Sequence, residues 1–185
     1  EPKRPIDHIR NTISETCHSR AQDQQGIYTL TVPTGGGKTF ASLRYALHHA
    51  QKHGLDRIIY IIPYTSIIEQ NAGEVRKVLG DDCVLEHHSN LEPEQETWKS
   101  KLLCENWDSP IVFTTMVQFL DSFFGSGTRG VRHIHAMTRS VLIFDEVQTL
   151  PLHCTYLFCN TINWLTRFGK STTVLCTATQ PVLDH

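Results

Sequence analysis

The chain has 185 residues, enough for a single domain with a sizeable core. Hydrophobic residues make up 39% and charged residues 19%, which excludes a disordered chain, and no apolar run approaches the ~20 residues of a membrane-spanning helix. The net charge of −2 and pI of about 6.6 exclude a global basic field, so any nucleic-acid contact must be local.

Residues 6–24 read as a polar amphipathic helix, with Ile6, Ile9, Ile13 and Cys17 at helical spacing. An apolar strand at 27–32 then breaks into Pro33-Thr34-Gly35-Gly36-Gly37-Lys38-Thr39 and a helix at 38–53. Glycines at such a break let successive backbone N–H groups converge on phosphate oxygens, and the helix N-terminus adds its positive dipole end. Thr34, Gly35, Gly36 and Gly37 form the cradle. Lys38 would reach the β- and γ-phosphates, and the Thr39 hydroxyl would hold Mg²⁺. Val32 stands where the general phosphate loop G-x-x-x-x-G-K-[ST] has its first glycine, which argues against a kinase or GTPase.

Further strands are expected at 57–62, 83–87, 110–114, 141–144 and 172–176, and helices at 66–79, 94–106, 115–124 and 151–168. The strands are apolar at successive positions, which suits parallel strands covered on both faces. Their alternation with helices predicts a doubly wound α/β sheet with ligands at the carboxyl ends of the strands. The strand at 141–144 ends in Asp145 and Glu146. A metal-anchoring aspartate and a water-activating glutamate are what phosphoryl transfer to water requires. With the phosphate cradle upstream, the chemistry is Mg²⁺-dependent nucleoside-triphosphate hydrolysis, the nucleotide being ATP if the resemblance described below holds.

Two segments permit more than one reading. Residues 125–130 look like a surface loop. From Ser122 to Phe144 there is no acidic residue, but there are Arg129, Arg132, His133, His135 and Arg139. That run is either a DNA-facing strip or a solvated helix face. The six cysteines show no C-x-x-C pair and read as free thiols in a reducing cytoplasm. His48-His49 and His87-His88 diverge on regular structure, so the histidines read as structural rather than metal ligands.

The heptapeptide resembles motif I of superfamily 2 helicases, and Asp145-Glu146-Val147-Gln148 resembles their D-E-x-x box. Thr177-Ala178-Thr179 is similar to motif III, with Thr177 in place of the usual Ser. The loop Pro63-Tyr64-Thr65 with Gln70 resembles motif Ia, and Thr114-Thr115 with Gln118 resembles motif Ib. Nearly the whole chain therefore resembles the first RecA-like lobe of such an enzyme. The wording of Glu86-His87-His88-Ser89-Asn90 and of Asp145 to Pro151 narrows the resemblance to the CRISPR-associated helicase–nuclease of type I systems.

The resemblance implies a RecA-like α/β fold, with residues 1–24 as a helical lead-in and 25–185 as the ATP-binding lobe. It implies that Gln148, Thr177 and Thr179 couple nucleotide state to DNA. Pro63, Tyr64, Thr65, Gln70, Thr114, Thr115 and Gln118 would contact single-stranded DNA; Thr65 and Thr114 or Thr115 also suit helix N-caps. Its implied partners are a second RecA-like lobe, an HD nuclease domain and a guide-RNA surveillance complex. No His-Asp motif of that nuclease occurs here, and the chain opens on Glu1, so a piece of a longer protein with weak activity of its own is expected. Adenine would be read by Gln22, Gln24 or Gln25, or instead by Arg10 or Asn11. A motor on duplex DNA and a non-translocating ATP switch remain the rival readings.

Overall fold

The computed structural model describes residues 4–33, 35–88, 103–126 and 129–178. Six strands form one sheet: β1 (Ile27–Val32), β2 (Arg57–Ile62), β3 (Val84–His87), β4 (Ile111–Thr115), β5 (Ser140–Phe144) and β6 (Thr172–Ala178). Their order is β1-β6-β5-β2-β4-β3, and every pairing is parallel. Helix α1 (Pro5–Arg20) leads into β1, and the crossovers that parallel neighbours need carry α2 (Lys38–His53), α3 (Thr65–Leu79), α4 (Met116–Phe124), α5 (Arg129–Met137) and α6 (Thr155–Arg167).

Successive residues of one strand serve opposite faces, which is why the strands read as unbroken apolar runs. Ile58, Tyr60 and Ile62 of β2 pack with Cys17 and Ala21 near α1, Ala41 and Ala46 of α2, and Ile68, Ala72 and Val75 of α3. Ile59 and Ile61 face the other way, onto Phe119 of α4, Ala136 and Met137 of α5, and Phe158, Ile162 and Leu165 of α6. The central strands are buried along their length, with Ile59, Ile61, Leu142 and Phe144 at 0% exposure. A buried isoleucine or leucine is worth about 1.5–3 kcal/mol relative to exposure, so this double layer makes the sheet a rigid support.

The observed strands match the expected ones to within two residues. Helix α5 falls where the basic run had a helix face as one of its two readings, and its first two residues lie in the segment read as a surface loop. Its apolar positions meet the sheet through Ala136 and Met137, too few to stand out from the polar residues between them. Of the helix expected at 94–106, only 103–106 falls within the described residues, and it is helical.

The basic strip resolves in favour of structure. Arg132 pairs with Glu105, and Arg139 pairs with Asp56 and donates to the Gly54 carbonyl. Buried His133 stacks on Trp107 with ring centroids 4.2 Å apart. Arg139 precedes β5, at the sheet edge opposite the strand carboxyl ends, so these groups do not form one DNA-facing surface.

Candidate nucleotide-binding site

Four motif segments leave the same edge of the sheet. The phosphate loop follows β1, Pro63 and Tyr64 follow β2, Asp145 and Glu146 follow β5, and Thr177 and Ala178 close β6. Parallel strands with right-handed crossovers bring all carboxyl ends to one side, so chain-distant residues meet there.

Two glycines of the loop use left-handed backbone, Gly35 with φ 78° and Gly37 with φ 79°; Gly37 is the N-cap of α2. Gly36 is required for a different reason. A Cβ there would lie 2.6 Å from Val32 Cγ1 and 2.8 Å from the Pro33 carbonyl oxygen. The Gly36 N–H donates to that same carbonyl at 2.8 Å. Val32, standing at the position of the missing first glycine, thus fills the space behind the loop and leaves Gly36 no room for a side chain.

Lys38 is the meeting point. Its Nζ lies 2.7 Å from Asp145 Oδ1 and is hydrogen-bonded to Glu146 Oε1, 108 residues away in the chain. Burial lowers the Lys38 pKa, but its hydrogen bonds to both carboxylates outweigh this and hold it above the ordinary lysine value. Burial raises the Glu146 pKa, and the hydrogen bonds from Lys38 and Gln148 more than reverse it, so Glu146 is held below the usual carboxylate range. An ionised glutamate is the form that can accept a proton from water.

The backbone aims these groups. The Asp145 N–H donates to Ile61 O at 2.9 Å, which extends the β5–β2 ladder by one bond. Glu146 then takes a left-handed turn with φ 48°, a strained conformation for a side chain with a Cβ. Its N–H donates to Asp145 Oδ1 at 3.0 Å, and its carbonyl accepts from the Thr149 hydroxyl at 2.8 Å.

Thr39 and Asp145 line one small enclosed space beside Lys38. A hydroxyl and a carboxylate are hard oxygen donors, and the ammonium already resting on Asp145 marks a place where a cation is stabilised. These residues fit Mg²⁺. Beneath them Ser42 Oγ donates to Thr39 O at 3.0 Å, and the buried Tyr60 hydroxyl lies 3.2 Å from Ser42 Oγ.

A larger cavity of about 660 Å³ runs along the edge, lined by the phosphate loop, Glu146 and Ala178. Arg10, Asn11 and Ser14 of α1 form part of its wall, as do Gln70, Asn71 and Glu74 of α3. The α3 residues carried no motif signal beyond Gln70; a lone Asn and Glu on a helix cannot be told from solvated positions by spacing. Gln70, expected at DNA, lines this nucleotide cavity.

Other expected residues fall as follows. Thr177 Oγ1 lies 3.3 Å from Thr31 Oγ1, which joins motif III to the strand ahead of the phosphate loop. Gln148 donates to Glu146 Oε2. Thr115, not Thr114, caps α4, its Oγ1 accepting from the Gln118 N–H at 3.2 Å. Thr114 is fully buried and donates to His87 O at 3.0 Å, which ties β4 to β3. The N-cap of α3 is Tyr64 rather than Thr65, because Tyr64 keeps extended backbone (φ −126°, ψ 133°). Tyr64 is 56% exposed. Thr34 and Thr179 lie outside the described residues. Among the described residues no group of three metal-ligating side chains occurs, and all six cysteines are free. No helix among them is long and apolar enough to cross a membrane.

Comparison with known proteins agrees with this geometry. The CRISPR-associated nuclease/helicase Cas3 of Haloferax volcanii is 32% identical over 182 aligned positions, which cover 85% of this chain and 19% of that protein. The chain thus spans about a fifth of the length of that relative. The ADP-bound crystal structure of T. fusca Cas3 superposes with a TM-score of 0.72 at 17% identity, covering 96% of this chain and 23% of that one. The DUF1998 helicase MrfA bound to DNA gives 0.65 at 18% identity, covering 91% and 22%. Both likenesses establish the RecA-like fold. The DEAD/DEAH box helicase pattern matches residues 11–185, and the chain belongs to that helicase family.

Proposed function

We propose that this lobe is the ATP-binding half of a motor that moves along single-stranded DNA in type I CRISPR interference and feeds the strand to an HD nuclease. The observation that carries the reading is the convergence of Lys38, Asp145 and Glu146 at the carboxyl edge of a parallel sheet, with Thr39 beside them. Backbone amides of Gly35 to Gly37 and the α2 N-terminus hold the phosphates. Lys38 leaves the carboxylates for the β- and γ-phosphate oxygens. Glu146 accepts a proton from the attacking water. Thr39 and Asp145 would hold Mg²⁺, which supplies charge neutralisation across the β- and γ-phosphates when bound.

Gln148 and Thr177 would pass nucleotide state to the DNA loops, since Gln148 touches Glu146 and Thr177 touches Thr31 on the strand that enters the phosphate loop. Exposed Tyr64 with Pro63 and Thr65, and Thr115 with Gln118, offer backbone amides and hydroxyls to DNA phosphates. The identity to Cas3 supports a guide-RNA surveillance complex as recruiter and a cytoplasmic setting. A second RecA-like lobe would complete the ATP site with an arginine, typically worth ~10³–10⁵ in rate, so the lobe alone hydrolyses ATP poorly.

The test is ATP hydrolysis by the polypeptide that carries this lobe together with its second lobe, without nucleic acid, with single-stranded DNA and with duplex. Strong single-strand stimulation abolished by Glu146→Gln is expected. Stimulation by duplex alone would replace this reading with a duplex motor. Hydrolysis indifferent to every nucleic acid would leave an ATP-driven switch.

A further inference from the structure

We propose that Asn71 of α3 is a positioning residue of the magnesium site, its carboxamide oxygen accepting from the water shell of the cation beside Thr39 and Asp145. The inference rests on the ATP-site reading above and adds a residue that no sequence motif carries.

Three of the described residues line both the small enclosed space and the long nucleotide cavity: Lys38, Thr39 and Asn71. The first two are those that would reach phosphate and metal. Asn71 therefore stands where the two spaces join. The enclosed space measures about 10 Å³, room for one water or one small ion. Thr39 from α2, Asp145 after β5 and Asn71 from α3 each bring an oxygen to its wall.

The hydrogen bonds around this space leave the carboxamide over. Lys38 is held by Asp145, Ser42 donates to the Thr39 carbonyl, and the Tyr60 hydroxyl lies at Ser42. The Thr39 hydroxyl and the Asn71 carboxamide make no hydrogen bond among the described residues. Asn71 is half-buried. A polar group partly withdrawn from water at a polar cavity is stabilised by a partner that the ligand brings.

The helix fixes where Asn71 stands. Ile68, Ala72 and Val75 of α3 are fully buried and seat it against the sheet. At about 100° per residue Asn71 lies on the flank of that stripe, so its side chain reaches the cavity rather than the core.

The chemistry favours a neutral oxygen there. Magnesium dehydrates reluctantly and keeps several waters, whose hydrogens need acceptors. Asp145 already brings a negative charge, which Lys38 offsets. A carboxamide adds an acceptor without adding charge.

The experiment titrates Mn²⁺, a paramagnetic substitute that suits the same oxygen ligands, into the full-length polypeptide with saturating ADP and follows the free-ion resonance. The parent is compared with Asn71→Leu and Asn71→Asp, and ADP binding is measured separately in EDTA. Melting curves report whether each variant is folded. Asn71→Leu keeps the volume and loses the oxygen. It should bind Mn²⁺ about tenfold more weakly, as for loss of an outer-shell partner, with ADP affinity in EDTA unchanged. Asn71→Asp keeps an oxygen and adds charge, and should bind Mn²⁺ more tightly than the parent.

Unchanged Mn²⁺ affinity in Asn71→Leu overturns the inference. So does an equal loss of ADP affinity in EDTA, which would put the carboxamide on phosphate instead. If Asn71→Leu fails to fold, the aspartate variant decides, and Mn²⁺ binding no tighter than the parent's overturns the inference. Asp145→Asn separates this inference from the reading beneath it. If Asp145→Asn weakens Mn²⁺ binding and Asn71→Leu does not, only the role of Asn71 fails. If neither weakens it, the metal-site reading itself fails, and the role of Asn71 fails with it.

Discussion

Lys38 Nζ rests 2.7 Å from Asp145 Oδ1, so the cation that should grip phosphate and the carboxylate that should grip metal neutralise each other. Nucleotide and metal binding must exchange this ion pair for two others. On the proposed function, the exchange would make the lysine a competitor of Mg²⁺ as well as a ligand of ATP.

Lys38→Ala is accordingly expected to change two quantities in opposite directions. Removal of the ammonium leaves two carboxylates facing one space, so Mg²⁺ should bind more tightly in the absence of nucleotide. ATP hydrolysis should fall roughly 10²–10³-fold, as for loss of a preorganised electrostatic group. Titration calorimetry with Mg²⁺ and a steady-state ATPase assay measure the two. Unchanged Mg²⁺ affinity would show that the lysine does not occupy the metal position.

The glycines of the phosphate loop should not be equally sensitive. A methyl at Gly35 meets nothing within 4 Å and has only left-handed backbone strain to overcome, about 1–2 kcal/mol. A methyl at Gly36 collides with Val32 Cγ1 and the Pro33 carbonyl. Gly36→Ala should weaken nucleotide binding about tenfold or more, in the 1–3 kcal/mol range of overpacking, and the added change Val32→Ala should restore part of it. Fluorescent-nucleotide titration of the single and double variants checks this.

Thr115 has a structural duty and a proposed DNA duty, and two substitutions separate them. Thr115→Ala removes the α4 cap and should cost about 1 kcal/mol of stability as well as DNA stimulation. Thr115→Asp keeps a capping oxygen but places negative charge against a DNA phosphate. Its melting temperature should hold while single-strand stimulation of the ATPase drops. Equal stimulation in the aspartate variant would remove Thr115 from the DNA contacts.

His49 makes stability depend on pH in a defined window. Its Nδ1 is 3.0 Å from the Ala21 carbonyl, which can only accept, so Nδ1 carries the proton and Nε2 accepts from the Thr172 hydroxyl at 2.8 Å. Burial lowers its pKa from 6.5 to about 4, against the opposing hydrogen bond to Ala21. The unfolded chain therefore binds a proton at higher pH than the folded one. The stabilisation is fully present above pH 6.5 and is lost as pH falls toward 4, on the order of 2 kcal/mol. Urea unfolding from pH 7 to 4 should show a shallower acid slope for His49→Gln than for the parent.

The chemistry of the ATP site was legible because it is written in contiguous residues. Three glycines before Lys38-Thr39, and a buried strand ending in Asp145-Glu146, each state a local backbone requirement together with a charge. The six strands were legible for a related reason: a strand covered on both faces admits almost only apolar residues, so β2 and β5 stand out without periodicity. The bounds of helix α5 were not legible because Arg132 is held by Glu105 and His133 by Ser122, Cys104 and Trp107, partners that no local pattern reveals.

What the chain could not state by itself was adjacency. Asn11 and Gln25 are equally plausible adenine readers along the sequence. Only the parallel sheet, which sends its strand carboxyl ends to one edge and its amino ends to the other, puts Asn11 on the nucleotide cavity and Gln25 against Lys170. In the same way Gln70 is found on the cavity wall, and Thr114 is buried at the β3–β4 junction. The sequence by itself determined the fold class and the triphosphate chemistry, because local backbone and burial rules demand those residue types. The tertiary structure decided which side chains share the site, because crossover topology sets that distance and residue identity does not.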